Sequence, residues 1–112
     1  MPQRQLYLKS AGDFKRIVKT GEKKLTPFFL LFFHRNESEN RGRRVGISIS
    51  RANVPLATDR NRLKRLVREF WRMPESGRYS IEAVLIVRKN ANQLSNGNIY
   101  KALLNIFNKT LS

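Results

Sequence analysis

The chain has 112 residues, with 23 Lys and Arg against 8 Asp and Glu, a formal net charge of +15, and no cysteine. The length fits one domain spanning residues 1–112 with a modest core, and the missing thiols exclude disulfides and thiolate metal sites. The charge selects polyanionic partners, nucleic acid ahead of an acidic membrane surface. No apolar run is long enough to span a bilayer and the first residues carry no signal-peptide core, so no membrane partner and a cytoplasmic location are expected.

In chain order, Ser10 is placed to cap a first helix whose apolar face is Phe14, Ile17 and Val18, with Gly21 at its C′ position. Pro27 opens a strand over 28–35 that is apolar on both sides. Glu37 to Gly42 reads as a polar loop. Residues 44–50 alternate, with Val45, Ile47 and Ile49 on one face and Gly46, Ser48 and Ser50 on the other. A connector runs from Arg51 to Thr58. Thr58 or Asp59 caps a second helix that Pro74 stops, and a loop follows to Ser80. Ala83 to Arg88 is a continuous apolar run, as in a buried central strand. Ser95 caps a last helix with Ile99, Leu103, Ile106 and Phe107 on one face. The order is α-β-β-(β)-α-β-α, where the bracketed strand is a further short one near the loops. The fold class is α+β, three helices on a small mixed sheet with a possible βαβ crossover.

The second helix is the most informative segment. Leu63, Leu66, Val67, Phe70 and Trp71 make one apolar stripe. Lys64, Arg65, Arg68 and Arg72 cluster beside it, with Asn61 among them. Arg60 and Arg62 are expected in the first turn, where the helix dipole disfavours cations, and arginines beside free backbone N–H groups would form a phosphate site. Phe14 and Phe32 can serve as base platforms in one groove, with the small Gly46, Ser48 and Ser50 face leaving room for a nucleic-acid strand. Arg88 and Lys89 are further candidate phosphate contacts.

Catalytic chemistry is sparse. The eight carboxylates are scattered over different elements with no metal-binding spacing. His34 is the one histidine, too little for metal-free acid–base cleavage of RNA, and a packed or solvated role suits it better. No phosphate-binding glycine loop occurs. No catalytic and no metal-ligating residue is therefore expected. From the residues alone, an RNA-binding subunit of a larger assembly and a structural RNA-binding protein of ribosomal type both remain open. DNA binding is weaker, for want of a helix-turn-helix.

The run Arg60-Asn61-Arg62-Leu63-Lys64-Arg65-Leu66-Val67-Arg68-Glu69 resembles the R-N-R-x-K-R-x-x-R-E signature of the bacterial ribonuclease P protein component. Leu8-Lys9 with Asp13-Phe14, the strand Arg44 to Arg51, and Val84 to Lys89 followed by Ala91 resemble further segments of that family in the same order. The resemblance implies a cofactor protein for a catalytic RNA that removes the 5′ leader from precursor tRNA, with an unusual left-handed βαβ crossover. It implies RNA contacts at Arg51, Arg60, Asn61, Arg62, Lys64, Arg65, Arg68 and Arg72, and a leader cleft at Phe14, Val18, Phe32, Ser48 and Ser50. It further implies a protein that binds no cofactor alone, Mg2+ at the RNA active site, and one protein copy beside the catalytic RNA and precursor tRNA. Two positions depart from the pattern: Val18 stands where the family often has an aromatic, and Ala52 where a second lysine is common.

Overall fold

The computed structural model describes Leu8 and residues 11–35, 44–73 and 81–111, with side chains to residue 108. The Ser10 cap, the polar loop 37–42 and Pro74 lie outside these residues. The elements are α1 (Ala11–Thr20), β1 (Glu22–Leu25), β2 (Phe29–Arg35), β3 (Arg44–Ser48), α2 (Ala57–Arg72), β4 (Ile81–Val87), a 3-10 turn at Ala91–Gln93, and α3 (Asn96–Leu111). The sheet order is β1-β2-β4-β3. β4 runs antiparallel to β2 and parallel to β3, so β3, α2 and β4 form the βαβ unit. β4 is central, and of its seven residues only Ile86 is not buried, as its unbroken apolar run requires. None of the described helices is long and apolar enough to cross a membrane.

Strand alternation divides the molecule into two layers. Phe29, Leu31 and Phe33 of β2, Val45 of β3, and Ile81, Ala83, Leu85 and Val87 of β4 point to one face, where α2 and α3 cover them. Phe70, Trp71 and Phe107 close that core, with the Phe70–Phe107 centroids 5.5 Å apart and Trp71–Phe107 5.2 Å. The opposite face carries a smaller cluster of Leu8, Ile17 and Val84, against which Phe14, Phe32 and Ile86 pack half-buried. Only α1 lies there.

Several boundaries differ from the sequence expectation, each for a local reason. The extra strand is β1, Glu22–Leu25, whose mostly charged sequence shows no strand pattern and which exists by pairing with β2. β3 ends at Ser48, not Ser50. The Ser50 carbonyl accepts from the Val54 N–H (3.0 Å) and its hydroxyl from the Asn53 N–H (3.1 Å), which turns the chain away. α2 begins at Ala57 after Leu56, with no side-chain cap, so Thr58 and Asp59 lie inside the first turn. The first turn therefore carries an acidic residue and the last a basic one, the ordinary match to the helix dipole. At the other end Met73 is extended (φ −65°, ψ 145°), as a residue before proline must be. Ser95 does cap α3, its hydroxyl accepting from the Asn98 N–H at 3.2 Å. Gly21 ends α1 as expected, but through close approach: a Cβ there would lie 2.6 Å from the Ile17 carbonyl and 2.9 Å from that of Phe33.

Candidate nucleic-acid interface

α2 sorts its cations by helical position. Asn61, Lys64, Arg65, Arg68 and Arg72 fall on the face opposite the buried stripe, where with Glu69 they line an open groove of about 310 Å³. Arg60 and Arg62 fall on the two flanks, within reach of neighbouring backbone. The Arg60 guanidinium donates to the carbonyls of Val54 (2.9 Å) and Pro55 (2.8 Å). That of Arg62 donates to Asn96 Oδ1 (2.7 Å) and to the carbonyls of Asn92 (2.9 Å) and Leu94 (3.2 Å). Contrary to the sequence expectation, Arg60 and Arg62 do not stand beside free first-turn N–H groups. The Arg60 N–H already donates to the Leu56 carbonyl, and Arg62 belongs to the second turn. These two side chains pin α2 to the connector and to the lead-in of α3, which aims the outer face. Asn92 supports the same junction, its amide donating to Asp59 at 3.3 Å.

Within the outer groove Glu69 is the one carboxylate. It lies 3.9 Å from Arg65 and accepts from the Tyr100 hydroxyl of α3 at 3.2 Å. Burial raises the Tyr100 phenol above its usual 10.0, and the hydrogen bond to Glu69 and its negative charge push the same way.

The second site lies on the α1 face. Cross-strand register sets two rows of outward side chains: Gly46, Val84, Phe32 and Lys23, then Ser48, Ile86, Leu30 and Leu25. Phe14 lies over the first row, so close to Gly46 that a Cβ there would meet its ring at 2.4 Å. Glycine at 46 is required for α1 to seat. The second row is left as a floor: Ser48 and Leu25 are exposed, Leu30 and Ile86 half-buried. Phe14 and Val18 stand one turn apart on α1. With Lys15 and Lys19 they line an open depression of about 440 Å³.

α1 has only ten residues, too short to hold its shape unaided. Ile17 anchors it, fully buried. Its other flank is held by charge. Glu82, 6% exposed, pairs with Arg44 and, at 3.3 Å, with Arg16; Asp13 lies 3.5 Å from Arg16 and 3.9 Å from Arg44. At the helix end Thr20 donates its one hydroxyl proton to the Arg16 carbonyl (2.7 Å). The 2.8 Å contact between Thr20 and His34 Nε2 must then be donated by the ring. His34 is thereby a packing residue that ties α1 to β2.

The sequence candidates thus separate. Asn61, Lys64, Arg65, Arg68 and Arg72 come together on α2. On the other face Phe14 and Phe32 pack against one small cluster, Val18 shares a depression with Phe14, and Ser48 lies in the neighbouring row of the sheet. Ser50 and exposed Arg51 sit at the turn where β3 leaves the sheet, at the lip of the floor. Arg88 is turned inward, donating to the Thr26 carbonyl at 2.7 Å, while Lys89 is exposed. Leu25, Leu30, Ile86 and Lys23 were missed. The alternation of β2 around Phe32 could have given Leu30; the others needed the register.

The family model described as Ribonuclease P matches residues 1–111 of this chain. Among curated relatives, the ribonuclease P protein component of Pseudoalteromonas translucida is 31% identical over 106 residues, covering 95% of this chain and 74% of that protein. The component from Nitrosococcus oceani is 33% identical over 100 residues, covering 89% and 82%. Among solved structures, the Staphylococcus aureus RNase P protein matches with a TM-score of 0.84 at 25% identity, over 96% of this chain and 97% of that one. The Thermotoga maritima RNase P protein matches with a TM-score of 0.78 at 27% identity, over the same shares of the two chains, 96% and 97%.

Proposed function

This chain belongs to the bacterial ribonuclease P protein family, and from that premise we propose that its two surfaces divide the work of the subunit. As a ribonuclease P protein component it is part of an endoribonuclease of tRNA processing that works with an RNA partner. The outer face of α2 holds the catalytic RNA through phosphate contacts from Lys64, Arg65, Arg68 and Arg72, with Asn61 beside them. The groove along α1 holds the single-stranded 5′ leader of precursor tRNA, with Phe14 and Phe32 as platforms and Ser48 on the floor. Arg51 bridges the two from the turn after β3. Arg60 and Arg62 act chiefly by positioning α2.

The hydrolysis is assigned to the partner RNA, with Mg2+ at the RNA active site. Support comes from how the described carboxylates are used. Asp13 and Glu82 clamp α1, Glu22 pairs with Arg35, Asp59 holds Asn92 and Glu69 holds Tyr100. Among the described residues no three His, Asp or Glu gather into a metal-holding group. The protein works as a single copy in the cytoplasm. The alternative of a ribosomal-type protein outside any enzyme is not favoured by the family.

The observation that carries the α2 assignment is the sorting of cations: five polar side chains face outward together while the two flanking arginines are spent on the fold. If that face makes about five phosphate contacts, affinity for the catalytic RNA falls by a factor of roughly 100 to 1,000 between about 50 and 200 mM salt. Arg65→Ala with Arg68→Ala should make that slope shallower and leave the melting temperature nearly unchanged. Arg62→Ala should lower the melting temperature instead. An unchanged slope in the double variant would overturn the assignment. Reconstitution with the catalytic RNA on precursor tRNA at low magnesium tests the whole reading, since the protein alone should cleave nothing.

A further inference from the structure

We infer that the leader track continues past Phe32 across the full width of the sheet to β1, where Lys23 takes a phosphate of leader nucleotides lying beyond those stacked at Phe14 and Phe32. The inference rests on the groove reading above and adds to it a distal contact that makes affinity depend on leader length.

The register carries it. Lys23 pairs with Phe32, Phe32 with Val84, and Val84 with Gly46, so all four positions lie in one row on the α1 face. Leu25 closes the parallel row of Ser48, Ile86 and Leu30. Three strand spacings separate β3 from β1, about 14 Å, room for more than the bases that two rings can hold. At this end the floor stays apolar and open, with Leu25 55% exposed. Lys23 is exposed, and α1 ends at Thr20 just before β1 begins at Glu22, which puts exposed Lys19 across the Gly21 turn. The described carboxylates are all engaged elsewhere, with Arg16, Arg35, Arg44, Arg65, Asn92 or Tyr100. An apolar floor edged by cations that no described carboxylate pairs with suits a nucleic-acid strand, bases down and phosphates out. The occupant is therefore the leader itself, continuous with the segment in the groove.

Lysines also guard edge strands against pairing with other chains, and a purely protective Lys23 would show no dependence on leader length. The test uses the reconstituted holoenzyme and a series of precursor tRNAs whose leaders grow one nucleotide at a time, with mature tRNA as the zero point. Lys23→Ala is compared with Lys101→Ala, which removes the same charge from exposed α3. Lys23→Ala should follow the unsubstituted protein for short leaders. Once the leader reaches β1 it should bind about fourfold more weakly at physiological salt, with a salt slope shallower by about 0.7, one phosphate contact. Lys23→Arg should restore both, and Lys101→Ala should change neither. Equal behaviour of Lys23→Ala and the unsubstituted protein at every length overturns the inference, as does an equal loss at every length including mature tRNA. Phe14→Ala separates this failure from that of the groove. If Phe14→Ala weakens precursor relative to mature tRNA while Lys23→Ala is silent, the track ends at Phe32; if Phe14→Ala is silent as well, the groove reading falls with it.

Discussion

On the α2–α3 face of the sheet, Phe29, Leu31, Leu85, Trp71 and Phe107 are fully buried, and two sixteen-residue helices cover the strands from edge to edge. On the α1 face the one described helix has ten residues, Ile17 is its one buried side chain, and in the row from Ser48 to Leu25 the described residues leave Ser48 and Leu25 exposed and Leu30 and Ile86 half-buried. The same strands serve both faces, since alternate residues point to opposite sides. The difference is therefore one of cover. Each side chain fully buried contributes roughly 1.5–3 kcal/mol, and nearly all of them lie on the α2–α3 face. Stability is concentrated on one side, which leaves the other free to keep half-exposed aromatics and an uncovered floor. α1 is then held by an ionic clamp around Glu82 as much as by packing.

The comparison is tested most severely by truncating one aromatic from each face. Trp71→Ala should cost about 3–5 kcal/mol in denaturant unfolding. Phe14→Ala, half-buried and at the edge of the small cluster, should cost about 1–2 kcal/mol, because much of its surface is already in water. Equal losses would mean that the α1 face is core and that its aromatics serve packing first.

A smaller effect sharpens the boundary between seating α1 and holding a ligand. Gly46→Ala places a methyl against the Phe14 ring, where the gap is 2.4 Å. The ring or the whole helix must move outward, at a cost of about 1–3 kcal/mol. Leader binding should weaken while the salt dependence of catalytic-RNA binding on α2 stays the same. A variant with unchanged melting temperature and unchanged leader affinity would show that Phe14 rotates freely and defines no groove.

Much of this was legible in the sequence where the pattern is local. The apolar stripe of α2, the continuous run of β4 and the Ser95 cap each follow from spacing within one element. The hidden parts are those decided by partners. β1 has one apolar residue in four and is a strand only because β2 offers it an edge. The start of α2 was misplaced because Thr58 and Asp59 are good caps in isolation, while Pro55 and extended Leu56 begin the helix earlier. That shift of two to three residues takes Arg60 and Arg62 away from the free N–H groups at the helix start. The groove floor needed the register of four strands, which no single segment encodes. The buried Glu82 was visible only as the charged neighbour of an apolar run, and its meaning came from Arg16 and Arg44 arriving from two other elements.

The smallest expected effect lies where the closed core meets the outer face of α2. Tyr100 stands on α3 against Phe70, with ring centroids 6.4 Å apart, and its hydroxyl reaches out to Glu69. Burial raises its pKa first, and the bond and charge of Glu69 add to that. The folded protein therefore keeps the phenolic proton to higher pH than the unfolded chain. Any stability from this linkage is fully present below the usual tyrosine value of 10.0 and is lost as pH climbs through the raised one. Because the pair sits at the surface, the contribution is small. Ultraviolet titration, with Tyr100→Phe subtracted to isolate this residue, should place its midpoint above that of an exposed tyrosine. Glu69→Gln removes the charge but leaves the burial, so the midpoint should fall only part of the way back. A full return to the exposed value would mean that Tyr100 belongs to the open, charged face; no change at all would mean that the closed core alone sets it, and that Glu69 is free to attend to Arg65.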